Sequence, residues 1–262
     1  MLNIDPEKET DRIKGFIKEV LKKTDKNKVV IGLSGGIDSM TSFYLLKKTI
    51  TLENIIVAHL PYFKEDEHLA PILKEISKEN LHILSIKKTV LNLCHELKIS
   101  PARLASESFA GRENQKIRIG NIAARIRMII LYDLAKKYDA LVCGTENKSE
   151  HYLGYFTRFG DEASDFEPII HLYKTQVYKL AKYLEVPSSF IKRAPTAGLW
   201  QGQTDEKELG FSYEEADLVL YSYFEKKESI EKIKSKGFKN AEEIVRRALK
   251  TKFKHEVPYL ID

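Results

Sequence analysis

Cysteine is scarce in this sequence: among 262 residues only Cys94 and Cys143 are cysteines, and they stand far apart. Two separated thiols build neither a disulfide framework nor a zinc site, because both need several cysteines or closely spaced ones. The residues after Met1 lack the apolar stretch of a signal peptide, and no apolar run approaches the roughly eighteen residues that span a bilayer. We therefore expect a soluble, cytoplasmic protein with no membrane partner.

Neither sign of charge is in large excess. The chain has 43 lysines and arginines against 38 acidic residues, a net charge of +5. This mild surplus allows a polyanionic ligand without requiring nucleic acid, so we expect no nucleic-acid partner. Hydrophobic residues make up 43% of the chain, enough for a sizeable core, and no repeat or linker divides the sequence. Residues 1–262 are predicted to form a single domain.

One stretch organises the rest of the chain. The apolar run from Val29 to Leu33 predicts a buried strand, and it breaks at Ser34-Gly35-Gly36 directly before a helical pattern that starts near Asp38. A strand, a tight turn and a helix N-terminus direct backbone amides at an anion such as phosphate. The hydroxyls of Ser34 and Ser39 add donors, and Asp38 offers a hard oxygen ligand for Mg²⁺. By itself, a Gly-Gly pair is more often an ordinary turn.

Predicted strands and helices alternate along the first two thirds of the chain. Strands are predicted near residues 29–33, 54–60, 82–86 and 140–144, and helices near residues 7–23, 38–48, 67–78, 89–97, 117–138 and 174–184. This alternation predicts a doubly wound parallel sheet with helices on both faces, whose ligands bind beyond the carboxyl ends of the strands. Three more helical patterns, near residues 213–226, 229–234 and 241–251, predict a helical C-terminal region.

Two segments have no clear period. Residues 98–116 are rich in Ser, Ala, Arg and Glu, and residues 195–206 contain turn formers and the only tryptophan. Long irregular segments inside compact domains are often functional loops, so we interpret the first as a flap and the second as a lid.

The fourth predicted strand also ends at a strand-to-helix junction, which runs from Thr145 to Glu150. If its connection has the same hand as the first, Glu150 faces Asp38 across one ligand, and the two carboxylates hold Mg²⁺. Without this pairing, Glu150 is simply an acid in the first turns of a helix. Further along, Lys174 opens a helix, where a cation opposes the helix dipole, so a phosphate partner explains it better than helix stability does.

The hexad from Ser34 to Ser39 resembles the pyrophosphate loop of the N-type ATP pyrophosphatases, which cleave ATP between its α and β phosphates. Further blocks in the same order resemble one family, the ammonia-dependent NAD synthetases. These blocks are Gly32 to Ser39, Gly120 to Met128, Gly144 to Glu150, Gly154 to Asp165, Leu172 to Thr175, and Pro195 to Gly210. The resemblance covers nearly the whole chain and implies a Rossmann-like sheet of the adenine nucleotide alpha hydrolase type.

The resemblance also implies an activity and an assembly. Members of this family join ammonia to the nicotinate carboxylate of deamido-NAD and release AMP and pyrophosphate. They use ATP as co-substrate and Mg²⁺ as cofactor, and they form homodimers with the dinucleotide bound at the interface. Because the chain shows no second domain that would release ammonia from glutamine, free ammonia is the expected nitrogen source, although a separate glutaminase subunit remains open.

Matched position by position, the resemblance implies a role for each candidate residue. Asp38 and Glu150 would ligate Mg²⁺, and Asp38 and Lys174 would be the catalytic residues. The deamido-NAD site would comprise Arg125, Arg158, Asp165, Phe253 and Lys254. The ATP site would comprise Gly32, Leu33, Ser34, Gly35, Gly36, Ile37, Asp38, Ser39, Thr145, Lys174 and Thr196.

Three positions depart from the family pattern. Arg158 stands where many members have lysine, Gly198 where many have aspartate, and His59 in a region where some have arginine. Two other functions stay open at this point: an ATP pyrophosphatase that modifies tRNA, and a nucleotide-binding module without turnover. Cys94 and Cys143 lack the paired spacing that thiolating enzymes usually need, which weighs against the first.

Overall fold

The computed structural model describes residues 2–63, 67–99, 109–196, 204–259 and 261. It confirms the predicted parallel sheet. The strands are β1 (Val29–Gly32), β2 (Ile55–His59), β3 (Leu81–Ile83) and β4 (Leu141–Cys143), in the order β3-β2-β1-β4. Val29 pairs with Ile55 on one side and with Leu141 on the other, and both pairings are parallel. Strand β1 is therefore the point from which the chain winds outward in two directions.

Helices surround this sheet and follow it. Among the described residues the α-helices are α1 (Pro6–Thr24), α2 (Ile37–Lys47), α3 (Ala70–Leu73), α4 (Lys87–Glu96), α5 (Phe109–Tyr138), α6 (Lys148–Leu153), α7 (Lys174–Tyr183), α8 (Ser188–Ile191), α9 (Asp205–Leu209), α10 (Tyr213–Leu220), α11 (Ile230–Ser235) and α12 (Ala241–Thr251). A π-helical turn, Tyr221–Glu225, continues α10, and a 3₁₀ turn, Lys252–His255, continues α12. None of the helices in the described ranges is long and apolar enough to cross a bilayer.

The two faces of the sheet carry separate hydrophobic clusters, because successive side chains of a strand point to opposite faces. Ile31 packs in the cluster formed with α1, α2 and α7, whereas its neighbour Val30 packs in the cluster formed with α4 and α5. A third cluster joins α10, α11 and α12 to Leu153 of α6. The predicted helical C-terminal region thus packs directly on the helix that follows β4.

Two predicted helices differ in length from those observed. Helix α5 begins at Phe109 instead of residue 117, so the proposed flap is helical from residue 109 onward. Its first turns lack an apolar stripe, yet Ala, Arg, Glu, Gln and Lys are good helix formers, and periodicity alone misses them. The helix predicted at residues 67–78 is a 3₁₀ turn followed by the short α3, because Pro71 lacks the amide that a continuous helix needs.

The rest of the flap, residues 100–108, and most of the lid, residues 197–203, lie outside the described residues. Beyond residue 203, the lid segment ends in helix α9. The amide of Asp205 donates to the carbonyl of Pro195 (2.9 Å), so the two ends of the lid segment meet at its base. Both ends line the cavity at the carboxyl edge of the sheet.

Candidate active site

The turn between β1 and α2 is held by its own side chains. Gly35 has φ of +83°, a left-handed conformation that glycine adopts without strain, and α2 starts directly after Gly36. The hydroxyls of Ser34 and Ser39 lie 3.0 Å apart, and the amide of Gly36 donates to Ser34 Oγ (3.2 Å). These contacts fix the shape of the loop, with the positive end of the α2 dipole at its tip.

A cavity of about 700 Å³ opens above this loop at the carboxyl edge of the sheet. The structure brings every predicted ATP-site residue to its wall, together with Glu150 and Lys254. The set comprises Gly32, Leu33, Ser34, Gly35, Gly36, Ile37, Asp38, Ser39, Thr145, Lys174 and Thr196. The sequence separates Gly32 from Thr196 by more than half the chain, so the parallel topology is what gathers these residues.

A buried ion pair occupies the charged part of this cavity. Lys174 Nζ lies 2.6 Å from Asp38 Oδ2 and 2.8 Å from Glu150 Oε1. The lysine side chain is 2% exposed, and the two carboxylates are 15% and 16% exposed toward the cavity. The partners of Lys174 are thus carboxylates, which accounts for a cation at the start of α7.

Three elements fix the position of this ion pair. Asn147 caps α6 by accepting from the amides of Ser149 and Glu150, and its Nδ2 donates to Asp38 Oδ1 (2.9 Å). Ser149 Oγ accepts from the Lys174 amide and donates to Asp217 Oδ1, and the other oxygen of Asp217 accepts from the Thr175 amide. Helices α2, α6, α7 and α10 therefore meet around Lys174. Asp217 of α10 holds the backbone at the start of α7 in place.

The charges of the ion pair depend on each other. Burial disfavours the charged form of Lys174, but the carboxylates of Asp38 and Glu150 outweigh burial and raise the pKa of Lys174. Burial also raises the pKa of Glu150, with Asp38 as a second carboxylate close by. The ammonium of Lys174 is therefore balanced mainly by the carboxylate of Asp38, while Glu150 holds its proton more readily than a free glutamate does.

Asp38 and Glu150 fit a magnesium ion. Both offer hard carboxylate oxygens at the edge of the cavity, beside a loop shaped for phosphate. In the part of the chain that the structure describes, no three His, Cys, Asp or Glu side chains converge to hold a metal ion by themselves. Two carboxylates with the remaining positions open suit Mg²⁺, which usually takes its other ligands from water and phosphate oxygens.

A second acidic group lies behind the end of β4. Glu167 accepts from Ser164 Oγ (2.9 Å) and from the amide of Glu146 (3.0 Å). A Cβ on Gly144 would fall 1.8 Å from Glu167 Oε1, so only glycine leaves room for this carboxylate. Glu167 thereby shapes the turn that carries Thr145 into the cavity.

The predicted deamido-NAD residues lie mostly in a smaller adjoining cavity of about 170 Å³. Arg125, Arg158, Phe253 and Lys254 all line it, and Arg125 Nη2 donates to the carbonyl of Arg158 (3.1 Å). Lys254 also lines the large cavity, where its ammonium donates to the carbonyls of Gly154 and Phe156. Lys254 therefore connects the two cavities.

Asp165 is not brought to either cavity. Its carboxylate accepts from the amide of Val142 (2.6 Å) at the outer edge of β4, where Phe166 forms a bridge with Cys143. In this single chain Asp165 therefore supports the sheet edge, and its role in substrate binding stays a prediction.

The sequence gives only weak indications of two residues that support the site, Asn147 and Asp217. Asn147 precedes a helix and is the residue type that caps helix N-termini, but nothing local shows that its amide reaches Asp38. Asp217 interrupts the buried stripe of α10, between Ala216 and Val219, and an acid in such a stripe is a sign of a buried polar partner.

The buried carboxyl of Glu146 predicts a pH dependence of stability. Burial, with Asp161 and Glu162 nearby, raises the pKa of Glu146 to about 8, above its unfolded value. The stabilisation from the neutral form is therefore complete below the unfolded pKa and is lost as the pH rises toward 8. The free energy of unfolding of the wild type should therefore fall as the pH rises through this window. Glu146→Gln cannot ionise, so the difference between the variant and the wild type should change in favour of the variant by at most about 1.4 kcal/mol per pH unit.

Urea denaturation of the ligand-free proteins between about pH 5 and pH 8 checks this. Glu19→Gln, on the exposed face of α1, is the matched control and should follow the wild type. Parallel curves for Glu146→Gln and the wild type would contradict the assignment.

The chain is similar to known proteins over nearly its whole length. The family model described as NAD synthase matches residues 9–258. The NH(3)-dependent NAD(+) synthetase of Fusobacterium nucleatum is 38% identical over 250 residues, which cover 94% of this chain and 92% of that protein.

Two solved structures share the fold over nearly the whole chain. The NH3-dependent NAD synthetase of Campylobacter jejuni is 30% identical with a TM-score of 0.75, covering 99% of this chain and 100% of that one. The NMN synthetase of Francisella tularensis is also 30% identical, with a TM-score of 0.79 and the same coverage. With a family model and a relative that both span most of its length, the chain belongs to the NAD synthase family.

Proposed function

We propose that this protein joins ammonia to the nicotinate carboxylate of deamido-NAD with ATP as co-substrate, which yields NAD, AMP and pyrophosphate. It is thus a ligase that forms a C–N bond in NAD biosynthesis. The observation that carries the proposal is the Lys174 ammonium between Asp38 and Glu150. It lies beside the loop from Ser34 to Ser39, whose geometry suits a phosphate group.

The reaction follows from the chemistry of a carboxylate. Ammonia does not displace oxide, so the carboxylate first attacks the α phosphorus of ATP, an acyl-adenylate forms and pyrophosphate leaves. Ammonia then attacks the acyl carbon, and AMP leaves with the electron pair of the broken bond. Lys174 and the amides at the start of α2 stabilise the negative charge that grows on the phosphate oxygens. Mg²⁺ held by Asp38 and Glu150 would supply further positive charge there.

The acceptor has two candidates. The similarity to the NMN synthetase of Francisella tularensis raises nicotinate mononucleotide as an alternative to deamido-NAD. The adjoining cavity favours the dinucleotide, because Arg125, Arg158 and Lys254 offer cationic groups beyond the ATP site. The sequence also left open tRNA modification and a module without turnover. The relatives are NAD synthetases, so the similarity favours neither of these functions.

Product analysis separates the two acceptors. With ATP, Mg²⁺ and ammonium, we expect NAD from deamido-NAD, together with AMP and pyrophosphate, detected by chromatography. Faster turnover of nicotinate mononucleotide than of deamido-NAD would transfer the proposal to the mononucleotide, and ATP binding without any amide product would leave only a nucleotide-binding module.

Asp38→Asn tests the role of the ion pair. The substitution keeps the volume of the side chain but removes one carboxylate charge, so we expect the rate of NAD formation to fall about a hundredfold or more while the fold is kept. Asp11→Asn, on the exposed face of α1, is the matched control. Wild-type turnover of Asp38→Asn at saturating Mg²⁺ would defeat the assignment, and circular dichroism would verify folding.

We further propose a cytoplasmic homodimer whose dinucleotide site is completed by the neighbouring subunit. The smaller cavity supports this, because Phe253 is 46% exposed at its rim and Arg125 is exposed as well. Sedimentation at micromolar concentration should give twice the mass of the chain. A fully active monomer would contradict the shared site.

A further inference from the structure

His59 is a buried histidine that the reaction scheme above does not use. It is the last residue of β2, it is 4% exposed, and it lines the large cavity. Its Nδ1 lies 2.8 Å from the backbone carbonyl of Leu33, at the end of β1. A carbonyl only accepts, so this bond places the ring proton on Nδ1.

The bond to Leu33 therefore fixes the tautomer. In the neutral ring, Nε2 carries a lone pair and can only accept a hydrogen bond. Nε2 is buried and has no hydrogen-bond partner in the described part of the chain. A buried acceptor without a donor costs free energy, which a ligand with a suitably placed N–H group would recover.

The strand order separates the two ends of the cavity. Strand β2 lies on one side of β1 and β4 on the other, so His59 and Thr145 are on opposite sides of the phosphate loop. The β4 side carries Glu150 and Lys174, which suit phosphate and Mg²⁺. A nucleotide whose phosphates face that side extends its base toward β2.

The wall around His59 suits a flat base. Leu60, Pro61 and Tyr62 follow His59 directly, and Met128 and Leu131 of α5 line the same cavity. Arg127 Nε donates to the carbonyl of Leu60 (3.1 Å), which fixes this wall in place. Apolar and aromatic side chains with a few convergent polar groups, here His59 and Arg127, are the usual surroundings of a bound heterocycle.

We propose that His59 selects adenine, by accepting a hydrogen bond at Nε2 from the amino group on C6 of the purine of ATP. This rests on the proposed function, in which ATP occupies the large cavity. A purine with an oxo group on C6, as in inosine or guanosine triphosphate, places an acceptor against Nε2 and leaves both acceptors without a donor. The site therefore discriminates between nucleotides at the base as well as at the phosphates.

Calorimetric binding of ATP and ITP tests the proposal without turnover. The wild type should bind ATP about tenfold more tightly than ITP. His59→Asn keeps an amide donor for the carbonyl of Leu33 but removes the group at the position of Nε2, so the preference should fall to about threefold or less. His59→Gln reaches that position with an amide that can turn to donate, and it should also relax the preference. His82→Asn, on β3 and outside the cavity wall, is the matched control and should keep the wild-type ratio.

An unchanged ratio of ATP to ITP affinity in both His59 variants would overturn the proposal. A change confined to 2′-deoxy-ATP or 3′-deoxy-ATP would assign His59 to the ribose and overturn it equally. Thermal unfolding of each variant shows whether it folds. If His59→Asn does not fold, the affinity ratio of His59→Gln tests the proposal. Because binding is measured without deamido-NAD, a wild type that binds ATP selectively but forms no NAD would refute the proposed function and leave this proposal standing.

Discussion

The ammonium of Lys174 between Asp38 and Glu150 is the interaction on which the rest of the site depends. It joins the first turns of three helices that are far apart in the sequence, α2, α6 and α7. Removing one partner of a buried ion pair leaves an uncompensated charge, which typically costs about 3–5 kcal/mol. Such a pair is a weak source of net stability but a strong constraint on geometry, because any displacement of one helix separates charges at the cavity wall.

That constraint extends into the C-terminal region. Asp217 of α10 accepts from Ser149 Oγ and from the Thr175 amide, so the helix that carries Lys174 is held from a part of the chain beyond the sheet. Burial raises the pKa of Asp217 to about 6, and its contacts with Ser149 and Thr175 oppose that rise. The helices after residue 204 therefore contribute to the position of Lys174, even though no residue of α10 lines the cavity.

The sequence predicted the fold and the components of the site better than their arrangement. The alternation of apolar strands and amphipathic helices predicts a parallel sheet, and parallel strands bring Asp38 and Glu150 to one edge. Contacts that depend on tertiary packing leave no such periodic trace. Nothing in the sequence around Gly144 shows that Glu167 occupies the space of its missing side chain, and only a charged residue within an apolar stripe points to Asp217.

Two positions show what local patterns leave out. Residue 109 begins a helix with good helix formers but no apolar stripe, so hydrophobic periodicity places its start too late. Asp165 belongs to a block that resembles the family motif, yet in this chain its carboxylate accepts from the Val142 amide at the sheet edge. Sequence resemblance assigns a role to a position, whereas the contacts of the side chain depend on the strand to which it is adjacent.

The strand order gives the cavity its two chemically different ends. Because β2 and β4 flank β1, the loop after β1 lies between an apolar wall that begins at His59 and a charged wall that ends at Lys174. A ligand with a heterocycle at one end and phosphates at the other matches this order in only one direction. The hydrogen bond from His59 to the carbonyl of Leu33 links the carboxyl ends of β2 and β1 at the point where the character of the wall changes, and it leaves Nε2 as the acceptor of the ring.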